Sequence, residues 1–183
     1  MTDARWLNRQ LAELTGSSGT VLWFATIDCP LVRRYLPRVQ QLAVGYQDRG
    51  VRFLLVNVGP EDGLVEAAAQ QVEHAPATTF VKDFDGALSR AVGVDRTVTA
   101  VVLDAGRRVV YRGRVDDQYR YAGALPEVGR EDLRQALAGH AQPLLGQVGL
   151  KFFAGGFGAH CGNVGPPGLD CQKQSGTVCR CGP

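Results

Sequence analysis

Long apolar runs are missing from this 183-residue chain. No stretch approaches the roughly 20 apolar residues needed to span a bilayer, so no membrane role is expected. Charge of one sign is also scarce: 20 Lys and Arg against 18 Asp and Glu leave a formal +2. The arginines are spread along the chain, which argues against nucleic acid or an anionic surface as a partner. Histidine is nearly absent, and His74, His140 and His160 show no HxxxH or HxH spacing that would mark a metal pair. No glycine-rich phosphate loop follows an apolar run; "GSSGT" precedes one. The first thirty residues lack the order of a secretory leader. They carry acidic residues early, and the apolar run at 21–25 is short and late, so the cytoplasm is the expected compartment.

Cysteine is scarce and then crowded. Cys29 stands alone in the first 160 residues, whereas Cys161, Cys171, Cys179 and Cys181 fall in the last 23. One isolated cysteine is no disulfide framework, so the two groups call for separate accounts.

What is present is a globular pattern, with 45% hydrophobic residues. "DARWLNRQLAEL" places Trp6, Leu7, Leu11 and Leu14 at helical spacing, with Asp3 as its N-cap. "VLWFA" at 21–25 reads as a strand covered on both faces, and "GVRFLLVNV" as a second. Between them Leu31, Val32, Tyr35, Leu36, Val39 and Leu42 line one face of a helix. Pro30 suits the first turn of that helix, and Pro37 predicts a kink. "EDGLVEAAAQQVEHA" is helical in composition, "ATTFVKD" a short strand and "GALSRAV" a short helix. "TVTAVVLD" and "RRVVYRGRV" have the spacing of a hairpin, and "REDLRQALAGH" reads as a closing helix. Strands alternating with helices imply an α/β domain with a mainly parallel central sheet and a C-terminal hairpin edge. The domain is expected over residues 1–142, followed by an irregular Gly- and Cys-rich tail over 143–183.

In open α/β sheets, sites collect beyond the carboxyl ends of the strands. Cys29 falls there, between the first core strand and a helix start. Helix N–H groups and the dipole favour a negative sulfur, and Arg33 and Arg34 add positive potential one turn on. Thr26, three residues earlier, brings a hydroxyl within reach of the sulfur. Asp28 opposes a second negative charge beside it. Position alone therefore leaves a reactive thiol and a packed, inert one both open. Asp116–Asp117 on an extended segment would point to opposite sides, which favours structural roles, pairing with Arg112 or Arg114 or capping a turn.

"TIDCPLVRRYLPRVQQL", "GVRFLLVNV" and "VVLDAGRRVVYRGRVDDQY", in that order, resemble redoxin domains of the alkyl hydroperoxide reductase and thiol-specific antioxidant group, within the thioredoxin-like superfamily. The resemblance covers about residues 18 to 140, and "YRGRVDDQY" is its most specific piece. It implies a thioredoxin-like fold, Cys29 as the reactive thiol and Thr26 as the threonine of a peroxiredoxin-type Thr-x-x-Cys. The implied activity is thiol-dependent oxidoreduction, with a peroxide or disulfide substrate, an external thiol reductant and no organic cofactor.

The chain departs from that pattern at several points. Val32 stands where a Cys-x-x-Cys would have its second cysteine, and Leu22 where the peroxiredoxin motif has proline. Val98, after Thr97, stands where relatives place a cis-proline facing the cysteine, so a trans bond close to Cys29 is expected there. Arg96 lies two residues out of register with the peroxide-binding arginine. A resolving thiol would then come from the tail, with Cys179 and Cys181 the candidates. The tail cysteines equally suit a local disulfide flap, a metal site or no role. The alternative function is a redoxin-fold binding protein of little turnover, whose tail holds a metal or a partner. The oligomeric state stays open.

Overall fold

The computed structural model describes residues 1–120 and 123–140. The chain divides into units Met1–Gly146 and Gln147–Pro183, and the second lies outside the described residues. The expectations for the tail, including those for Cys161, Cys171, Cys179 and Cys181, lie outside them too.

In chain order the elements are β1 (Thr2–Asp3), α1 (Leu11–Leu14), β2 (Gly19–Ala25), α2 (Pro30–Gln47), β3 (Val51–Asn57), α3 (Leu64–His74), β4 (Thr79–Lys82), α4 (Ala87–Ala91), β5 (Ala100–Asp104), β6 (Val109–Gly113), β7 (Tyr119–Arg120), β8 (Gly123–Ala124) and α5 (Asp132–His140). Six strands form one sheet in the order β1-β4-β3-β2-β5-β6, and β7 and β8 form a separate small ribbon.

The sheet is mixed, not mainly parallel. β2–β3 and β3–β4 are parallel, while β1–β4, β2–β5 and β5–β6 are antiparallel. The reason lies in the connection. The segment 83–99 that joins β4 to β5 holds only the five-residue α4 and leaves the chain at the carboxyl end of the parallel strands. β5 therefore starts at the end where β4 finished and runs back beside β2.

β2 sits at the centre, with all seven residues buried. Val21, Trp23 and Ala25 belong to the core that includes α2, while Leu22 and Phe24 belong to the opposite one. This two-sided burial explains why "VLWFA" shows no alternation. α2 buries Val32, Tyr35, Leu36, Val39, Leu42, Ala43 and Tyr46, and continues through Pro37. Leu31, expected on the apolar face, is 40% exposed instead.

The N-terminal segment differs most from expectation. Only Leu11–Leu14 is helical, and Asp3 lies in a strand paired with β4. Its carboxylate accepts the Arg5 N–H at 2.9 Å, the Leu7 N–H at 3.0 Å and the Arg9 guanidinium at 2.8 Å. An aspartate that gathers nearby N–H groups competes with the helix it was expected to cap. Trp6, with φ of 62°, sits outside helical geometry and is 64% exposed.

Candidate functional site

Cys29 follows the turn at Ile27–Asp28 beyond the carboxyl end of β2. It is the residue before α2, with extended backbone (φ −77°, ψ 114°), and Pro30 opens the helix. Its carbonyl accepts the Arg33 N–H at 3.3 Å. The thiol is free and half-buried, packed with Ile27 and Val98 against the α2-side core.

The hydroxyl that meets the sulfur belongs to Thr97, whose Oγ1 donates to Cys29 Sγ at 3.8 Å. Among the described contacts none joins Thr26 to Cys29. The sequence missed Thr97 because 68 residues separate the pair. The one available signal was its place immediately before Val98.

Val98 follows Thr97, whose hydroxyl meets Cys29 Sγ, and packs against the same core as Cys29. All peptide bonds among the described residues are trans, and Val98 has φ of 62°. A β-branched residue in the left-handed region is a rare conformation carrying strain. The strain is held by two bonds that prolong the β2–β5 ladder: Val98 N–H to the Phe24 carbonyl at 2.7 Å, and Phe24 N–H to the Thr99 carbonyl at 3.0 Å. A left-handed Val98 takes the place that a cis-proline fills in the pattern the chain resembles.

The turn before Cys29 is fastened from β3, β4 and α3. The Ile27 N–H donates to Asp62 Oδ2 at 2.8 Å, and the Gln70 amide donates to the Ile27 carbonyl at 3.4 Å. Asn57 Nδ2 donates to the same Asp62 oxygen at 2.6 Å. Lys82, 1% exposed, donates to Asn57 Oδ1 at 2.7 Å, to the Asp62 carbonyl at 2.9 Å and to the Gly59 carbonyl. Burial pulls the Lys82 ammonium below its ordinary range, and the Asp62 charge partly restores it. In the sequence Lys82 looked like the polar end of a short strand, and nothing marked it as buried.

Arg33, Arg34 and Asp28 are exposed, and the Arg34 guanidinium lies 5.5 Å from the Tyr119 ring centre. Arg96 pairs with Asp95 at 3.1 Å on the exposed surface, so its charge is already engaged.

The "VDDQY" aspartates take structural roles, and Asp117 lies close enough to Arg114 for their charges to interact, as expected. Asp116, 1% exposed, accepts the Tyr35 hydroxyl at 2.8 Å and the Gln118 N–H at 2.9 Å, and pairs with Arg38. Arg38 also donates to Gln118 Oε1 at 3.1 Å. Burial, then Asp116, push the Tyr35 phenol well above its ordinary range. Asp117 accepts the N–H groups of Gly129 and Arg130 at 2.8 and 2.9 Å. Arg112 donates to the Val92 and Gly93 carbonyls, and Arg114 pairs with Asp132 at 2.6 Å. Tyr119 meets Tyr35 edge-on at 5.0 Å, tying this segment to α2 beside the site.

His74 is exposed and 3.8 Å from Glu73. Among the described residues no group of three or more His, Cys, Asp or Glu could hold a metal, and no helix is long and apolar enough to cross a membrane.

A parallel core with an antiparallel hairpin, and a cysteine between the first central strand and its helix, define a thioredoxin-like domain. The chain belongs to the Redoxin family, which residues 8–127 match. No curated protein matches it. Among solved structures it is similar to an uncharacterized conserved protein from Geobacillus kaustophilus, at 25% identity and TM-score 0.68, covering 77% of each chain. A secreted Mycobacterium tuberculosis disulfide oxidoreductase homologous to E. coli DsbE is 18% identical with TM-score 0.58, over 75% of this chain and 92% of that one. A putative thiol:disulfide interchange protein DsbE from Chlorobium tepidum is 23% identical with TM-score 0.56, over 72% and 85%. These last two show the shared fold.

Proposed function

We propose that the protein is a thiol-dependent oxidoreductase with Cys29 as its nucleophile. The observation that carries this reading is a free thiol at the N-terminus of α2, hydrogen-bonded by Thr97, in a Redoxin-family chain. Helix N–H groups and a hydroxyl donor both favour the thiolate, the attacking form. Two proteins that share the fold are disulfide enzymes by name, which favours disulfide over peroxide as the substrate.

In disulfide exchange, the Cys29 thiolate attacks one sulfur of R–S–S–R′. The Cys29–S–S–R bond forms, the substrate S–S bond breaks, and R′–S⁻ leaves and takes a proton from water. A second thiol then attacks the Cys29 sulfur and releases R–SH, and an external thiol reduces the disulfide so formed on Cys29 to restore the free thiol. Val32 is fully buried and supplies no thiol, so the resolving group is an external thiol or Cys179 or Cys181 of the tail. With a peroxide, an S–O bond forms as O–O breaks. An alcohol or water leaves, and the sulfenic acid condenses with a thiol, releasing water. Either way two electrons pass from external thiols to the substrate, and no organic cofactor takes part. The cytoplasm, with its thiol pool, is the setting proposed.

The test is turnover of oxidised glutathione or hydrogen peroxide by the reduced chain with dithiothreitol as electron source, against Cys29→Ser. Loss of turnover in the variant is expected; equal rates would sink the reading. Peptide mapping after one equivalent of oxidant locates the resolving thiol. A Cys29 crosslink to Cys179 or Cys181 places it in the tail, whereas a Cys29 adduct that persists until thiol is added makes it external.

The strained Val98 and the buried Val32 favour a second reading, a redoxin-fold binding protein of little turnover. It predicts stoichiometric reaction of Cys29 without a catalytic cycle. In that case the tail would hold a metal or a partner, which metal analysis of the reduced protein tests.

A further inference from the structure

A lysine at 1% exposure is rare, because burying an ammonium costs several kcal/mol before its partners compensate. Lys82 sits at the carboxyl end of β4, and its ammonium gathers one side-chain oxygen and two carbonyls, all from residues 57–62. A methionine would fill the space more cheaply. What the ammonium adds is a fixed path for the loop between β3 and α3.

That path ends on the Cys29 turn. Asp62 Oδ2 receives two donors, Asn57 Nδ2 at 2.6 Å and the Ile27 N–H at 2.8 Å. The Gln70 amide holds the other side of the Ile27 residue, and the Val58 N–H bonds the Ala25 carbonyl at 3.0 Å. Three backbone groups between the end of β2 and Cys29 are therefore bonded to residues 58–70. On the far side of the thiol, the Thr97 hydroxyl waits at 3.8 Å. Sulfur hydrogen bonds are weak and directional, so a small shift of the turn removes this one.

We propose that Asp62 is a positioning residue for Cys29, with Lys82 and Asn57 as the frame that fixes it and Gln70 as a second tie on Ile27: together the two ties lock the Ile27 turn, and through it the alignment of the thiol with Thr97 and the start of α2. This rests on the reading of Cys29 as the reacting thiol. Asp62 acts by geometry, because its own charge disfavours a nearby thiolate.

The opposition of sign makes the test sharp. The full-length reduced chain is treated with iodoacetamide at neutral pH, and alkylation is followed by mass spectrometry on the Cys29 peptide alone, so the tail cysteines do not contribute. Asp62→Ala is expected to slow Cys29 about threefold, the effect of losing one modest hydrogen bond. Removing a negative charge would speed the reaction, and so would a loosened fold that opens more often. A fall has neither origin. Asp62→Asn keeps an acceptor oxygen for both donors and is expected to restore the rate to within about 1.5-fold. An unchanged or faster Asp62→Ala, or an Asp62→Asn as slow as the alanine variant, overturns the proposal. If Asp62→Ala does not fold, Gln70→Leu at a half-buried helix position decides: slowing supports the proposal, and no change or a rise overturns it. Alkylation needs no turnover. A chain that reduces neither disulfide nor peroxide, yet shows this pattern, would sink the functional reading and leave the positioning role standing.

Discussion

Thr97 Oγ1 lies 3.8 Å from Cys29 Sγ, across 68 residues of sequence, and is the hydroxyl donor the structure gives to that thiol. Thr97→Val keeps the shape and deletes the donor. With a net worth of roughly 0.5–1.5 kcal/mol for such a bond, the Cys29 alkylation rate should fall about two- to tenfold. Thr97→Ser should recover most of it. A Thr97→Val protein as fast as the parent would remove Thr97 from the site.

Val98→Pro would introduce the proline that the resemblance implies at this place, and it should harm this protein. Proline requires φ near −65°, whereas Val98 sits at 62° and donates its N–H to the Phe24 carbonyl at 2.7 Å. Both mismatches act together, so a loss of more than about 1 kcal/mol is expected in urea unfolding. A neutral or stabilising result would mean that the segment re-forms around the proline.

Asp116 should be more sensitive to loss of its cation than of its phenol. Arg38→Met leaves a buried carboxylate without its charge partner, and should cost about 3 kcal/mol. Tyr35→Phe removes one hydroxyl donor, and about 1 kcal/mol is expected. Denaturation midpoints of the two variants check the order.

The N-terminal turn should lose its grip in acid. Burial by itself raises the Asp3 carboxyl, but the bonds from Arg9, Leu7 and Arg5 outweigh it and pull the value from 3.8 down to about 2. A depressed carboxylate contributes stability that is fully present above the unfolded value and lost as pH falls through the folded one. The window therefore runs from about pH 4 down to about 2, and the contribution is on the order of 1–2 kcal/mol. Asp3→Asn should be less stable than the parent at pH 6, and the gap should shrink by pH 2. A constant gap would contradict the assignment.

The sequence by itself determined the elements whose burial pattern is local. "VLWFA" and "FLLV" had to be covered strands because every residue is apolar, and Val32, Tyr35, Leu36, Val39 and Leu42 had to share a helix face. The place of Cys29 at a strand–helix seam followed from these two patterns, the α/β class from the order of the elements, and the redoxin fold from the resemblance of the quoted motifs. Tertiary structure decided what meets across the chain. The Asp3 carboxylate found N–H groups and turned a helical pattern into a strand and a turn, and the segment after β4 delivered β5 antiparallel to β2. Thr97, not Thr26, reached the sulfur, and a buried lysine came to hold the loop that fastens the cysteine turn. Periodicity records which face of an element is dry, because burial repeats with the backbone. A hydrogen bond between residues 68 apart leaves no period, and only the packed chain selects it.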